Sequence, residues 1–209
     1  MSKVEIYIIG SGGFAKEVAT IIRDLDRYDE FCGFLEVDDF PDGEIIMGRP
    51  VFREKEFIPS SKAVFVAGIG DPKTREKAIN SLPENSSFIT LIHPSAIISE
   101  WVEVGIGSVI CANCVLTTAI RIGRHAQLNL ATTIGHDCVI GDYFTTAPAV
   151  NISGECEIGD RVYFGTGAAT RQGVKLADDV TIGMGAMAVK KISQPGGVYI
   201  GIPAKLLSR

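Results

Sequence analysis

The chain has 209 residues, close to the upper end of what one domain usually holds, and 46% hydrophobic against 22% charged residues excludes a disordered protein. A net charge of −5, from 20 Lys+Arg against 25 Asp+Glu, excludes the basic footprint that nucleic acid or an anionic membrane surface demands. Glycine is in excess at 23 residues, about 11% where ~7% is usual, and that excess demands a structural reason.

The first residues, MSKVEIYIIGSGG, hold an apolar run too short for a signal-peptide core, and no later stretch of about 18 apolar residues exists, so a cytoplasmic protein is expected. Residues 3–9 read as a buried strand, followed by the turn GSGG and a helix over FAKEVATIIRDLD. Gly10-x-Gly12-x-x-Ala15 fits the relaxed dinucleotide fingerprint, in which glycines let a phosphate approach a helix N-terminus. A second strand over residues 31–39 ends in Glu36, Asp38 and Asp39, where a ribose-binding acid would stand. A third strand, AVFVAGIG, leads into a helix with Pro72 in its first turn. These elements predict a βαβ nucleotide-binding domain over residues 1–92, about half of a full dinucleotide fold, which argues against a complete NAD site.

From residue 98 the pattern changes to a period of six. Ile98, Val104, Ile110, Leu116, Ile122, Leu128, Ile134, Ile140, Ile152, Ile158, Phe164, Leu176 and Ile182 occupy the slots, and only Thr146 and Thr170 interrupt them. Thirteen of fifteen slots are therefore apolar, where random placement would fill about seven. Gly follows the slot seven times, and the position four after it is mostly small or β-branched. A period of six suits flat faces joined by sharp corners, with three hexads making one triangular coil of 18 residues. Large residues then point into the prism, small ones fill its corners, and Gly relieves backbone crowding. Residues 18 apart stack, so Ile120, Cys138, Cys156 and Val174 form an inward column, and the five cysteines read as reduced core residues. Cys111-x-x-Cys114 falls on regular hexad positions, without the second pair that a zinc site needs.

This hexad run resembles the hexapeptide-repeat acyltransferases. The resemblance implies a left-handed parallel β-helix over residues 93–209, behind an α/β Rossmann-like N-terminal domain, and a homotrimer of parallel prisms. Carbonic anhydrases of the γ type share the prism but need three His ligands; only His125 and His136 lie within these repeats, so no metal is expected. The order of GSGG turn, FLEVDD, AGIGDPKTR, LIHPSA and prism resembles the bacterial sugar acetyltransferases of the NeuD/PglD family. That family implies acetyl-CoA-dependent transfer to an amino group of a nucleotide-linked sugar for surface glycans, with O-acetylation of a sugar such as sialic acid, or a non-catalytic prism scaffold, as alternatives.

Acetyl transfer from a thioester needs a base for the attacking group and donors for the oxyanion. In LNLATTIGHDCVIGD the family motif places the base at His136, its acid partner at Asp137, where the family often has Glu, and a substrate contact at Asn129. Gly154, one coil after His136, offers its N–H to the acetyl group. Further cofactor contacts fall on Thr145, which replaces a family His, and on Thr166, Gly183 and Met184. The closing YIGIPAKLLSR covers the cofactor, with Lys190, Lys191 and Lys205 available to its phosphates. Nucleotide-sugar contacts fall on Gly12, Gly13, Phe14, Glu36, Asp38, Asp39 and Gly70. Of the rest, His125 is expected to be exposed, His93 to shape the linker, and Trp101 to pack against the N-terminal domain.

Overall fold

The computed structural model describes residues 3–36 and 43–207, so Asp38 and Asp39 lie outside the described residues. The chain forms two compact units, Met1–Leu91 and Ile92–Arg209.

The first unit is a six-stranded sheet flanked by helices. Its elements are β1 (Glu5–Ile9), α1 (Gly13–Asp24), β2 (Phe31–Glu36), β3 (Ile45–Ile46), β4 (Arg49–Arg53), β5 (Ala63–Ala67), α2 (Pro72–Asn80) and β6 (Ser87–Phe88). The strand order is β3-β4-β2-β1-β5-β6; β3 is antiparallel to β4 and the other pairings are parallel. Central β1 is buried on both faces: Ile6, Ile8, Ala15, Val18 and Ile22 are sealed from water, and Tyr7 packs edge-on against Phe57 at 4.7 Å between ring centroids. The short hairpin β3–β4 and strand β6 have no period-two pattern long enough to be read from the sequence.

The second unit is a parallel β-helix. Its strands pair in register at an offset of 18 residues, as in Leu116 with Ile134 and Ile134 with Ile152. Three faces result. The first contains Gln127–Leu128 and has eight strands, the second contains Thr133–Ile134 and has six, and the third contains Val139–Ile140 and has five. Slot residues from 110 to 182 are buried, and so is the column Ile120, Cys138, Cys156 and Val174. All five cysteines are free. Thr146 and Thr170 fill their slots as buried hydroxyls, accepting from the backbone N–H of Asn129 at 2.9 Å and of Ser153 at 3.0 Å. Beyond the hexads, Val198–Ile200 continues the first face parallel to Thr181–Ile182 and turns back antiparallel onto Lys205–Leu206.

The corners divide two tasks between two positions. The residue after the slot sits against the next coil: a Cβ at Gly105 would lie 2.4 Å from the backbone of Gly123. Two residues later the chain enters the left-handed region, and there non-glycine residues carry the strain, among them Asn113, Ala119, His125, Ala131, Asp137, Tyr143, Ala149 and Glu155. His125, expected at the surface, is buried at 4% exposure, its ring stacked on that of Tyr143 at 5.3 Å, because the two residues occupy the same corner of consecutive coils.

Candidate active site

In the first unit the glycine turn, the end of β2 and the β5–α2 loop enclose a cavity of about 300 Å³. Its walls bring together five of the residues expected to hold the nucleotide-sugar: Gly12, Gly13, Phe14, Glu36 and Gly70. Helix α1 begins here with Gly12 as N-cap and no side-chain cap; α2, by contrast, is capped by the Asp71 carboxylate, which accepts from Thr74 N at 2.8 Å. Ala15 packs its Cα where a Cβ on Gly68 would stand, which brings α1 close against β5. Sequence reasoning missed Ser11, whose hydroxyl donates to Glu36 at 2.5 Å, and Arg75, which is wholly buried and donates to the carbonyls of Ile69 and Gly70 at 2.7 and 3.2 Å. Ser11 lies inside the GSGG turn, which was the signal that could have found it. Arg75 sits among charged helix residues, and its inward turn had no sequence signal.

The prism carries the other predicted residues on two corners. At the second corner, residues 135–138, His136 Nδ1 lies 2.8 Å from Asp137 Oδ2. An ionised carboxylate only accepts, so Nδ1 carries the hydrogen, and in the neutral imidazole Nε2 keeps its lone pair. Asp137 reaches the ring from a left-handed backbone with φ 58°, a conformation Asp tolerates better than most residues. The imidazole lies against the backbone of Gly154 one coil on, where a Cβ would come within 2.7 Å of Nε2.

Asn129, Thr166, Gly183 and Met184 stand elsewhere, at the other border of the second face, and Thr145 stands on the first face. Thr166 and Met184 share the column that runs up the first corner, linked by the bonds Gly167 N to Pro148 O and Gly185 N to Thr166 O. Asn129 opens this corner, and its Oδ1 accepts from Leu130 N at 2.7 Å. Thr145 pairs with Gln127 and Tyr163 on the first face and is only 4% exposed. One chain therefore does not bring these five to His136; the second face, with Thr133–Ile134 between the two corners, separates them.

The faces differ in chemistry. The outward column of the second face reads Ile97, Val115, Thr133, Asn151, Ala169 and Met187, all uncharged. The third face reads Glu103, Arg121, Val139, Glu157 and Lys175, with ion pairs Arg121–Glu103 at 3.7 Å and Lys175–Glu157 at 2.6 Å. Trp101 stands 69% exposed on this side of the prism. Among the described residues no three His, Cys, Asp or Glu gather as a metal group, and no helix is long and apolar enough to cross a membrane.

A β-helix with a carboxylate-paired imidazole at its corner, joined to a Rossmann-like unit with an open helix N-terminus, defines an acyltransferase of the hexapeptide-repeat class. Comparison with known proteins gives the same class. Residues 5–82 match the PglD N-terminal domain, and residues 157–187 match the hexapeptide repeat of succinyl-transferase. The chain is 31% identical over 154 residues to the GDP-perosamine N-acetyltransferase of Escherichia coli O157:H7, covering 70% of this chain and 69% of that protein. It is similar to PerB from Caulobacter crescentus, solved in complex with CoA and GDP-perosamine (26% identity, TM-score 0.86, 99% of each chain). It is also similar to the acetyltransferase domain of PglB from Neisseria gonorrhoeae FA1090 in complex with acetyl coenzyme A (29% identity, TM-score 0.88, 99% of this chain and 100% of that one). The chain belongs to the NeuD/PglD-like sugar N-acetyltransferases, which are acetyl-CoA-dependent acyltransferases.

Proposed function

We propose that the protein transfers acetyl from acetyl-CoA to the amino group of a nucleotide-linked amino sugar, with His136 as general base and Asp137 as its positioning partner. The observation that carries the reading is the 2.8 Å bond from His136 to Asp137 with the ring laid against Gly154. The neutral sugar amine attacks the thioester carbonyl, forming the C–N bond. His136 Nε2 takes the proton that the amine loses, and the Asp137 carboxylate stabilises the imidazolium. In this reading the Gly154 N–H donates to the oxyanion. As the tetrahedral intermediate collapses, the C–S bond breaks and the imidazolium returns the proton to the departing CoA thiolate, giving the N-acetyl sugar and free CoA. GDP-perosamine, named for two of the relatives, sets the substrate class: a nucleoside diphosphate linked to an amino sugar.

The nucleotide-sugar is assigned to the α1 cavity, with Gly12, Gly13, Phe14, Glu36 and Gly70 as contacts. A cytoplasmic homotrimer completes the reading. The uncharged second face is the one suited to burial against another copy, and the charged third face to water. A cyclic, head-to-tail contact sets one border of that face against the opposite border in the next copy. His136, Asp137 and Gly154 of one copy then meet Asn129, Thr145, Thr166, Gly183 and Met184 of the next, with CoA in the groove between them. Replacement His136→Ala is expected to lower transfer by about 10²–10⁴-fold, the range for a lost general base, while CoA binding and assembly persist. Steady-state turnover, CoA titration and sedimentation check this, and near wild-type turnover would overturn the assignment.

A further inference from the structure

The β5–α2 loop, one wall of the α1 cavity, is gripped from behind by a residue that does not line the cavity itself. Arg75 is wholly buried on α2, and its Nη1 donates to the carbonyls of Ile69 and Gly70 at 2.7 and 3.2 Å. Resting on the assignment of the nucleotide-sugar to this cavity, we infer that Arg75 is a positioning residue for the acceptor. By holding the two carbonyls inward it turns the N–H groups of the same peptides toward the cavity, where they receive the diphosphate.

Burial, direction and the path of the loop converge on this role. Arg is rarely sealed from water unless its donors are used, and an apolar side chain of similar size fills a helix–sheet layer without the desolvation penalty. Arg75 nonetheless shares the buried face of α2 with Pro72, Ala78 and Ile79. A helical side chain leans toward the N-terminus of its helix, so Arg75, in the first turn of α2, runs back to the loop that precedes it. That loop is tied at both ends. At its start the Gly68 N–H donates to Ile9 O at 2.8 Å, and at its end Asp71 caps α2. Between these points lie the two peptide planes that Arg75 grips. In a trans peptide the N–H points opposite to the C=O. Carbonyls of Ile69 and Gly70 held against Arg75 therefore turn the N–H groups of Gly70 and Asp71 the other way, to the side on which Ile69, Gly70 and Thr74 wall the cavity. Successive backbone N–H groups turned to one side make a concavity suited to phosphate oxygens, and the bare Cα of Gly70 lets them come close.

Calorimetric titration of the wild-type protein with GDP, UDP and dTDP comes first; binding of none would fell the nucleotide assignment and this inference with it. For the diphosphate that binds, Arg75→Met is expected to raise Kd about tenfold or more, while the affinity for the parent nucleoside, which has no phosphate, changes by less than about threefold. Arg75→Lys, which keeps a donor for the loop, is expected to recover part of the loss. An unchanged diphosphate Kd in a folded Arg75→Met protein, or equal weakening of diphosphate and nucleoside, would overturn the inference and leave the nucleotide assignment standing. Hydrogen exchange in the wild-type protein tests the same geometry without a substitution. The diphosphate is expected to slow exchange over residues 69–71 more than the nucleoside does, and an equal effect of the two would also overturn the role given to Arg75.

Discussion

At Gly154 the absence of a side chain decides where the catalytic ring can lie. An added Cβ would stand 2.7 Å from His136 Nε2 and 2.8 Å from Cε1, so the imidazole must swing away from the coil. The backbone φ there is not in the left-handed region, so Gly154→Ala is expected to fold with a near wild-type melting temperature. Displacement of the base by about 1 Å is enough to lower kcat by roughly 10²-fold, read by steady-state kinetics beside a melting curve. His136 and Asp137 were legible because both belong to the motif in LNLATTIGHDCVIGD. The left-handed residue at most corners was not, since Ala, His, Tyr and Glu carry it more often than Asn or Asp do, and the coil imposes the conformation regardless of local preference. His125 was misjudged for the same reason: its place in the stacked corner column, not its polarity, sets its burial.

Among the elements, the corner between the third and first faces shows how the coils are tied together. Asp142 Oδ1 accepts from the backbone N–H of Arg124, Asp160 from that of Asp142, and Asp178 from that of Asp160, at 2.8 to 2.9 Å, so each carboxylate caps the coil before it. Partial burial raises the Asp142 carboxyl pKa, but the hydrogen bonds and charge of Arg124 outweigh it and hold the group below its ordinary value. A depressed folded pKa means the stabilisation is present in full above the unfolded value near ~3.9 and is lost as pH falls through the folded one. Asp142→Asn is therefore expected to cost about 1 kcal/mol at pH 7, or roughly 2–4 °C in Tm, after allowing for the exposed Arg124 side chain. Melting curves from pH 7 to pH 3 should show that gap closing below about pH 4; a gap independent of pH would refute the electrostatic account. The slots of this unit were legible over 84 residues because one period governs them, and even Thr146 and Thr170 obey it by turning their hydroxyls to the backbone. The hairpin β3–β4 and the last hairpin were not, because strands of two to five residues carry too little of a period to be read.

For the whole molecule, two kinds of repetition explain the glycine excess. Fifteen of the 23 glycines lie at or after Gly105, and most of these serve coil-to-coil approach, while Gly12, Gly13 and Gly70 shape the α1 cavity. The sequence pattern revealed both units, yet it placed all the acetyl-transfer residues in one list. Only the three-dimensional path shows that the list divides between one corner of the second face and the opposite corner with the adjoining first face, because distance around a coil is invisible to a period that treats every hexad alike.

That division has a genetic consequence. If each reaction centre draws its base from one copy and its cofactor wall from the next, two dead enzymes can cure each other. His136→Ala protein mixed with protein bearing an obstructive change at the opposite corner, such as Met184→Trp, would assemble some centres with both sound halves. Random reassociation of equal amounts restores about a quarter of the wild-type centres in a head-to-tail ring. Recovered turnover near that fraction after co-expression, from parents that are each inactive, is the expected result; none would mean that every copy works alone.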